Sequence, residues 1–90
     1  MLLISYDISD DKLRTRFSKY LEKHGFRLQY SVFQIRNSDR ILENIQAQIK
    51  HDFEKRFSQT DSIMIFEMTA SCKITRYGFA KNQESDFIVV

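Results

Sequence analysis

Apolar residues fall along this chain in distinct rhythms, and the changes of rhythm mark out its elements. Met1-Leu2-Leu3-Ile4-Ser5-Tyr6-Asp7-Ile8 is nearly unbroken apolar sequence, as expected of a short central strand covered on both faces. Leu13, Phe17, Tyr20 and Leu21 then recur at i, i+4, i+7 and i+8, the stripe of a helix over about 10 to 24. Ser9 or Asp10 can cap its start and His24-Gly25 supply a stop. Lys12, Arg14, Arg16, Lys19 and Lys23 lie off that stripe, toward solvent or a partner.

From Phe26 the period becomes two, with Phe26, Leu28, Tyr30 and Val32 on one face and Arg27, Gln29 and Ser31 on the other. The phase then slips, because Phe33 and Ile35 occupy what had been polar positions, and a bulge or a bend in this strand is predicted. Arg36-Asn37-Ser38-Asp39 reads as a turn with a cap. Ile41, Leu42, Ile45, Ile49, Phe53 and Phe57 form the stripe of a second helix over 39 to 57. After the break Ser58-Gln59-Thr60-Asp61, Ile63-Met64-Ile65-Phe66 predicts a second buried strand beside the first. Cys72 to Tyr77 alternates and ends at Gly78, as a half-exposed strand does. Phe87-Ile88-Val89-Val90 follows the polar stretch 80–86 and is strongly β-prone; left unpaired it would invite aggregation, so it is expected as an edge strand, on this chain's sheet or on a second subunit's.

The order β-α-β-β-α-β with a late strand predicts an α+β, ferredoxin-like βαββαβ sandwich over 1–78, with 79–90 as a C-terminal linker and additional strand. The second sheet face would carry apolar groups without helices to cover them, which predicts a homodimer. Composition agrees with a small folded domain. The 90 residues include 42% hydrophobic and 13% aromatic side chains, and a chain this short gains little margin from its own core. The lone cysteine, Cys72, excludes an internal disulfide, and no run approaches membrane-spanning length. With no signal-like segment at the N-terminus, the expected location is the cytoplasm. A net charge of +2 diagnoses no partner by itself, so placement of the arginines must.

Candidate chemistry narrows quickly. Asp7, Ser9 and Asp11 alternate like the start of a calcium loop, but Lys12 stands where the turn glycine is needed and Ser18 where the closing glutamate is, which excludes an EF-hand. His24 and His51 have no zinc spacing. With glycine only at positions 25 and 78, no glycine-rich phosphate loop exists. What remains is Asp7, a carboxylate ending an apolar strand. On spacing alone it serves equally well to hydrogen-bond the turn into the helix. One carboxylate is thin equipment for hydrolysis, but a two-fold dimer would bring two together, and two would repel unless protonated or bridged by a cation. Mg2+, which takes one or two carboxylates and keeps several waters, suits that bridge. Arg14 and Arg16 would then hold phosphate oxygens.

Tyr6-Asp7-Ile8, Asp10-Asp11, Arg14, Arg16, Gly25, Arg27 and Gln29-Tyr30-Ser31-Val32-Phe33 together resemble the CRISPR-associated protein two family, the small second core protein of spacer acquisition. The resemblance is close over the first third of the chain and continues through element order. It implies a ferredoxin-like homodimer in which each C-terminal strand packs on the partner's sheet. It implies a dimer that sits between CRISPR integrase dimers and holds double-stranded DNA, and it implies metal-dependent endonuclease activity on RNA or DNA with Mg2+ or Mn2+. By that resemblance Asp7 is the catalytic and metal-ligand position, Arg14, Arg16 and Arg27 contact nucleic acid, and Tyr6, Ser31 and Phe33 support the site. Phe33 also fits plain core or dimer-interface packing, and Ser31 a strand hydroxyl bonded to its neighbours. Arg36, Arg40 and Arg76 are further candidates for the DNA backbone. No membrane partner is expected. A toxin-like small ribonuclease of the same fold is the alternative.

Overall fold

In the computed structural model, which describes residues 1–78, the apolar opening run becomes β1 (Leu2–Asp7), the middle strand of a five-stranded antiparallel sheet. It is followed by α1 (Asp11–Glu22), β2 (Gly25–Gln29), β3 (Val32–Ile35), α2 (Asp39–Gln48), β4 (Ser62–Glu67) and β5 (Lys73–Gly78). The sheet order is β2-β3-β1-β4-β5. Its first four strands are a split βαβ arrangement, so the fold is ferredoxin-like with β5 added beside β4. The predicted linker and strand over 79–90 lie outside the described residues.

Strand alternation divides the sheet into two unlike faces. Leu2, Ile4 and Tyr6 of β1, Phe33 and Ile35 of β3, and Ile63 and Ile65 of β4 point to the helices and are buried. Leu13, Phe17 and Leu21 of α1 and Ile45 of α2 close over them, with Ile49 and Phe53 beyond. Edge-to-face rings knit this layer: Tyr6 with Phe17 at 5.3 Å and Phe17 with Phe53 at 4.9 Å. On the other face Leu3, Ser5, Val32, Met64, Phe66 and Ile74 are only half-buried, and no described element covers them. The expected double cover of β1 is therefore met on one side among the described residues.

Three local expectations are revised. The stretch 26–35 is a hairpin rather than one bent strand: β2 and β3 pair with each other, and the phase slip is the chain reversal at Tyr30 and Ser31. A true irregularity does occur between Arg27 and Gln29, where the register shifts. The second helix is regular only to Gln48 and continues as a wider π turn, Ile49–Phe53, and a tight turn, Glu54–Arg56. Its stripe explains this. Ile45, Ile49, Phe53 and Phe57 are four apart, and at 3.6 residues per turn each such step drifts by about 40°; a wider turn drifts the other way and returns Phe53 to the core. Finally, Gly25 is not a left-handed helix stop. Its Cβ would lie 2.0 Å from the Gln34 carbonyl oxygen, so glycine is required there by the close approach of β3.

Caps follow the sequence. Asp10 accepts from the Leu13 amide at 2.8 Å and Ser38 from the Ile41 amide at 3.3 Å. Ser9, the other candidate for the first cap, is used elsewhere.

Candidate metal and nucleic-acid site

One end of the sheet gathers the candidate residues. β1 finishes there at Asp7, β4 begins there with Ser62 paired to Asp7, and β5 finishes there at Gly78 paired to Ser62. The β2–β3 reversal also reaches this end, where the Ser31 carbonyl accepts the Tyr6 amide at 3.1 Å. Alternation sends Asp7 to the open face with Leu3 and Ser5, while Tyr6, its neighbour in sequence, turns inward to Phe17 and Phe33. Asp7 is exposed, and among the described residues nothing hydrogen-bonds or pairs with its carboxylate.

The turn into α1 is bonded instead by a different acid, Asp61. This residue is 1% exposed; its carboxylate accepts the Ser9 amide at 2.9 Å and the Ser9 hydroxyl at 3.0 Å through Oδ1, and the Ser58 amide at 2.8 Å through Oδ2. Burial works to raise its pKa, but the donated amides and hydroxyls of Ser58 and Ser9 outweigh it and hold the carboxyl below the usual range. Asp7 is thereby relieved of the task that would have been its ordinary structural role.

The three arginines take distinct positions. Arg14 donates to the Ile8 carbonyl at 2.9 Å and to the Ser9 carbonyl at 3.4 Å, and pairs with Asp11. Arg16 pairs with Asp52, which also binds Arg56, and its guanidinium lies 4.8 Å from the centre of the Phe53 ring. Arg56 first, and Arg16 with it, hold the Asp52 carboxyl below its usual range. Arg27 stacks 5.0 Å from the Phe33 ring centre and donates to the Tyr30 carbonyl at 2.6 Å. Burial raises the Tyr6 hydroxyl pKa against the opposing pull of Arg27. A groove of about 230 Å³ runs beside Arg16, lined by Asp10, Lys12, Leu13, Arg16 and Arg56, and Lys19 and Lys23 continue the basic edge of α1. Phosphate oxygens are natural ligands for such an edge.

A model of the family described as CRISPR associated protein Cas2 matches residues 1–76. The chain belongs to that family. It is 33% identical over 79 residues to the CRISPR-associated endoribonuclease Cas2 2 of Methanospirillum hungatei, covering 86% of this chain and 84% of that protein. It is 32% identical over 74 residues to the CRISPR-associated endoribonuclease Cas2 4 of Rhodospirillum rubrum, covering 82% of this chain and 57% of that protein. Among solved structures, that of a hypothetical protein, TT1823, from Thermus thermophilus superposes with a TM-score of 0.64 at 26% identity, covering 77% of this chain and 80% of that one.

Within this Cas2 chain the named residues divide by sheet face. Tyr6, Arg27 and Phe33 cluster on the helix side, where Phe33 is fully buried and acts as core. Asp7 lies on the open side, the face that also carries Arg76 across the ladder from Met64. Ser31 contributes its carbonyl to the β1 edge. Among the described residues no three His, Cys, Asp or Glu side chains come close enough to hold a metal ion. The one donor in place for a hard cation such as Mg2+ is the exposed Asp7 carboxylate, an oxygen ligand of the type that ion takes. Arg36 lies at the far end of the sheet, donating its amide to the His24 carbonyl at 2.9 Å. No helix among the described residues is long and apolar enough to cross a membrane. Asp52 and Asp61 were not visible as site residues in the sequence, since each looks like an ordinary acid on a helix or in a polar loop.

Proposed function

We propose that two copies of this chain pair through their open sheet faces to form a scaffold for CRISPR spacer acquisition, which grips the backbone of duplex DNA and bridges integrase dimers. In the same dimer, Asp7 of each copy would hold a Mg2+ through its carboxylate, giving a phosphodiesterase centre. The observation that carries this reading is Asp7 itself: exposed, without a described partner, and on the same face as Leu3, Val32, Met64, Phe66 and Ile74. Half-buried apolar side chains in that number are suited to contact with a second copy. A dimer whose two-fold axis passes beside the Asp7 end of the sheet would set equivalent carboxylates facing one another.

Bound Mg2+ supplies charge neutralisation on the phosphate and a positioned water. The chain's own part is to hold the carboxylates and to present Arg16, Lys12 and Arg56 to phosphate oxygens, contacts that position a duplex without reading its bases. RNA is the substrate named for the relatives described as endoribonucleases, and it is the first substrate to try. Two assays test the reading. Asp7→Asn should abolish Mg2+-dependent cleavage while spacer acquisition persists; cleavage that survives in Asp7→Asn would remove Asp7 from the centre. Arg16→Ala should lower the slope of log affinity for duplex DNA against log salt by about 0.9, the value for one lost phosphate contact. An unchanged slope would remove Arg16 from the DNA path.

A further inference from the structure

Asp61 is a buried carboxylate that the reading of Asp7 does not use. Among the described residues it faces neutral donors only, the amides and hydroxyls of Ser9 and Ser58. Burying a charge without a countercharge is costly, and a solvated loop would avoid it. With both oxygens directed inward at 1% exposure, Asp61 is not placed to ligate a metal or meet a substrate. What it grips is the backbone immediately after Asp7.

That backbone is held from two sides. Asp61 takes the Ser9 amide, two residues beyond Asp7, while Arg14 reaches from α1 to the carbonyls of Ile8 and Ser9. Asp61 is itself fixed, because the next residue, Ser62, is the ladder partner of Asp7. The tie therefore joins the β1 exit to the β4 entry at the point where the Asp7 carboxylate leaves the sheet. Neither tie touches the Asp7 side chain, so Asp7 keeps its lone pairs while losing conformational freedom.

We propose that Asp61 is a positioning residue, which with Arg14 clamps the Ile8–Ser9 turn and so sets the direction in which the Asp7 carboxylate is presented to its metal. The proposal rests on the reading of Asp7 as metal ligand. Groups that orient a ligand through hydrogen bonds commonly change metal affinity by about 10- to 100-fold when removed. Asp61→Asn is the sharpest probe. One oxygen can still accept from Ser9, but the new NH2 group meets the Ser58 amide, donor against donor.

The test uses the full chain and Mn2+ as the probe metal. Wild type, Asp7→Asn, Asp61→Asn and Ile45→Val, a core change remote from the turn that controls for lost stability, are compared by Mn2+ titration, by amide exchange at residues 8–10 and by the carboxyl carbon resonance of Asp7. The expected result is Mn2+ binding weakened about tenfold or more in Asp61→Asn, faster exchange at Ser9 and a shifted Asp7 resonance, with none of these in Ile45→Val. Asp61→Asn with wild-type affinity, exchange and resonance overturns the proposal. If wild-type Mn2+ binding is indifferent to Asp7→Asn, the metal reading falls, and the Asp7 resonance and exchange still decide whether Asp61 positions that residue. Should Asp61→Asn fail to fold, Ser9→Ala, which keeps the amide tie and removes only the hydroxyl one, carries the same comparison with smaller shifts.

Discussion

The two faces of the sheet are built from the same strands and alternate residues of the same sequence, yet they have opposite fates. On the helix side Ile4, Phe33, Ile63 and Ile65 are fully buried. On the open side their neighbours Leu3, Val32, Met64 and Phe66 stay half-exposed, although they are as apolar as an interior strand. The helix face is complete in one chain and carries stability. The open face is left apolar and ends in an exposed acid, Asp7, that no described group engages. Its apolar side chains are the ones that the proposed pairing of two copies would use.

Substitutions should separate the two faces, and the largest effect belongs to the closed one. Phe33→Ala removes a ring packed on Tyr6 and under Arg27, and should cost about 3 to 5 kcal/mol of unfolding free energy in denaturant titration. A loss below about 1 kcal/mol would mean that Phe33 is not core. Asp61→Ala should cost about 2 kcal/mol, because two amide donors lose their acceptor. The Asp61 contribution has a pH signature. Its folded pKa is depressed, so the stabilisation is present above the unfolded value near 4 and is lost as pH falls through the folded value. Wild type should therefore lose stability with acid more steeply than Asp61→Asn, as followed by unfolding titrations from neutral pH to below pH 4. Parallel curves would show that the Asp61 hydrogen bonds contribute nothing net.

On the open face the same kind of change should hardly touch the single chain. Met64→Glu replaces a half-buried side chain facing Ser5 and Arg76 across the ladders, and should alter the stability of one chain by less than about 1 kcal/mol. It should nevertheless prevent self-association, as read by light scattering across a concentration series. If Met64→Glu unfolds the chain outright, the contrast between the faces is wrong.

Much of this was legible in the sequence because periodicity reports burial directly. The apolar run of β4, the alternation of β5, the stripe of Leu13, Phe17 and Leu21, and a cap before each helix were all readable locally. The hairpin at Tyr30-Ser31 was not, since the reversal uses none of the glycine, asparagine or proline residues that announce tight turns. The π turn at Ile49–Phe53 was hidden in a stripe whose four-residue spacing passes for an α-helix until the drift is summed. Asp7 could be located but not interpreted, because whether it bonded its own turn depended on a competitor. That competitor, Asp61, lies 52 residues away in sequence from the Ser9 it binds, and a polar loop of serine, glutamine, threonine and aspartate gives no local sign that its last residue is buried.

The account turns on Asp7 acting in pairs across a dimer, and metal stoichiometry tests this most directly. Isothermal titration of Mn2+ into the purified protein should give one ion for every two chains, with binding lost in Asp7→Asn. One ion per chain, or binding that survives Asp7→Asn, would contradict it.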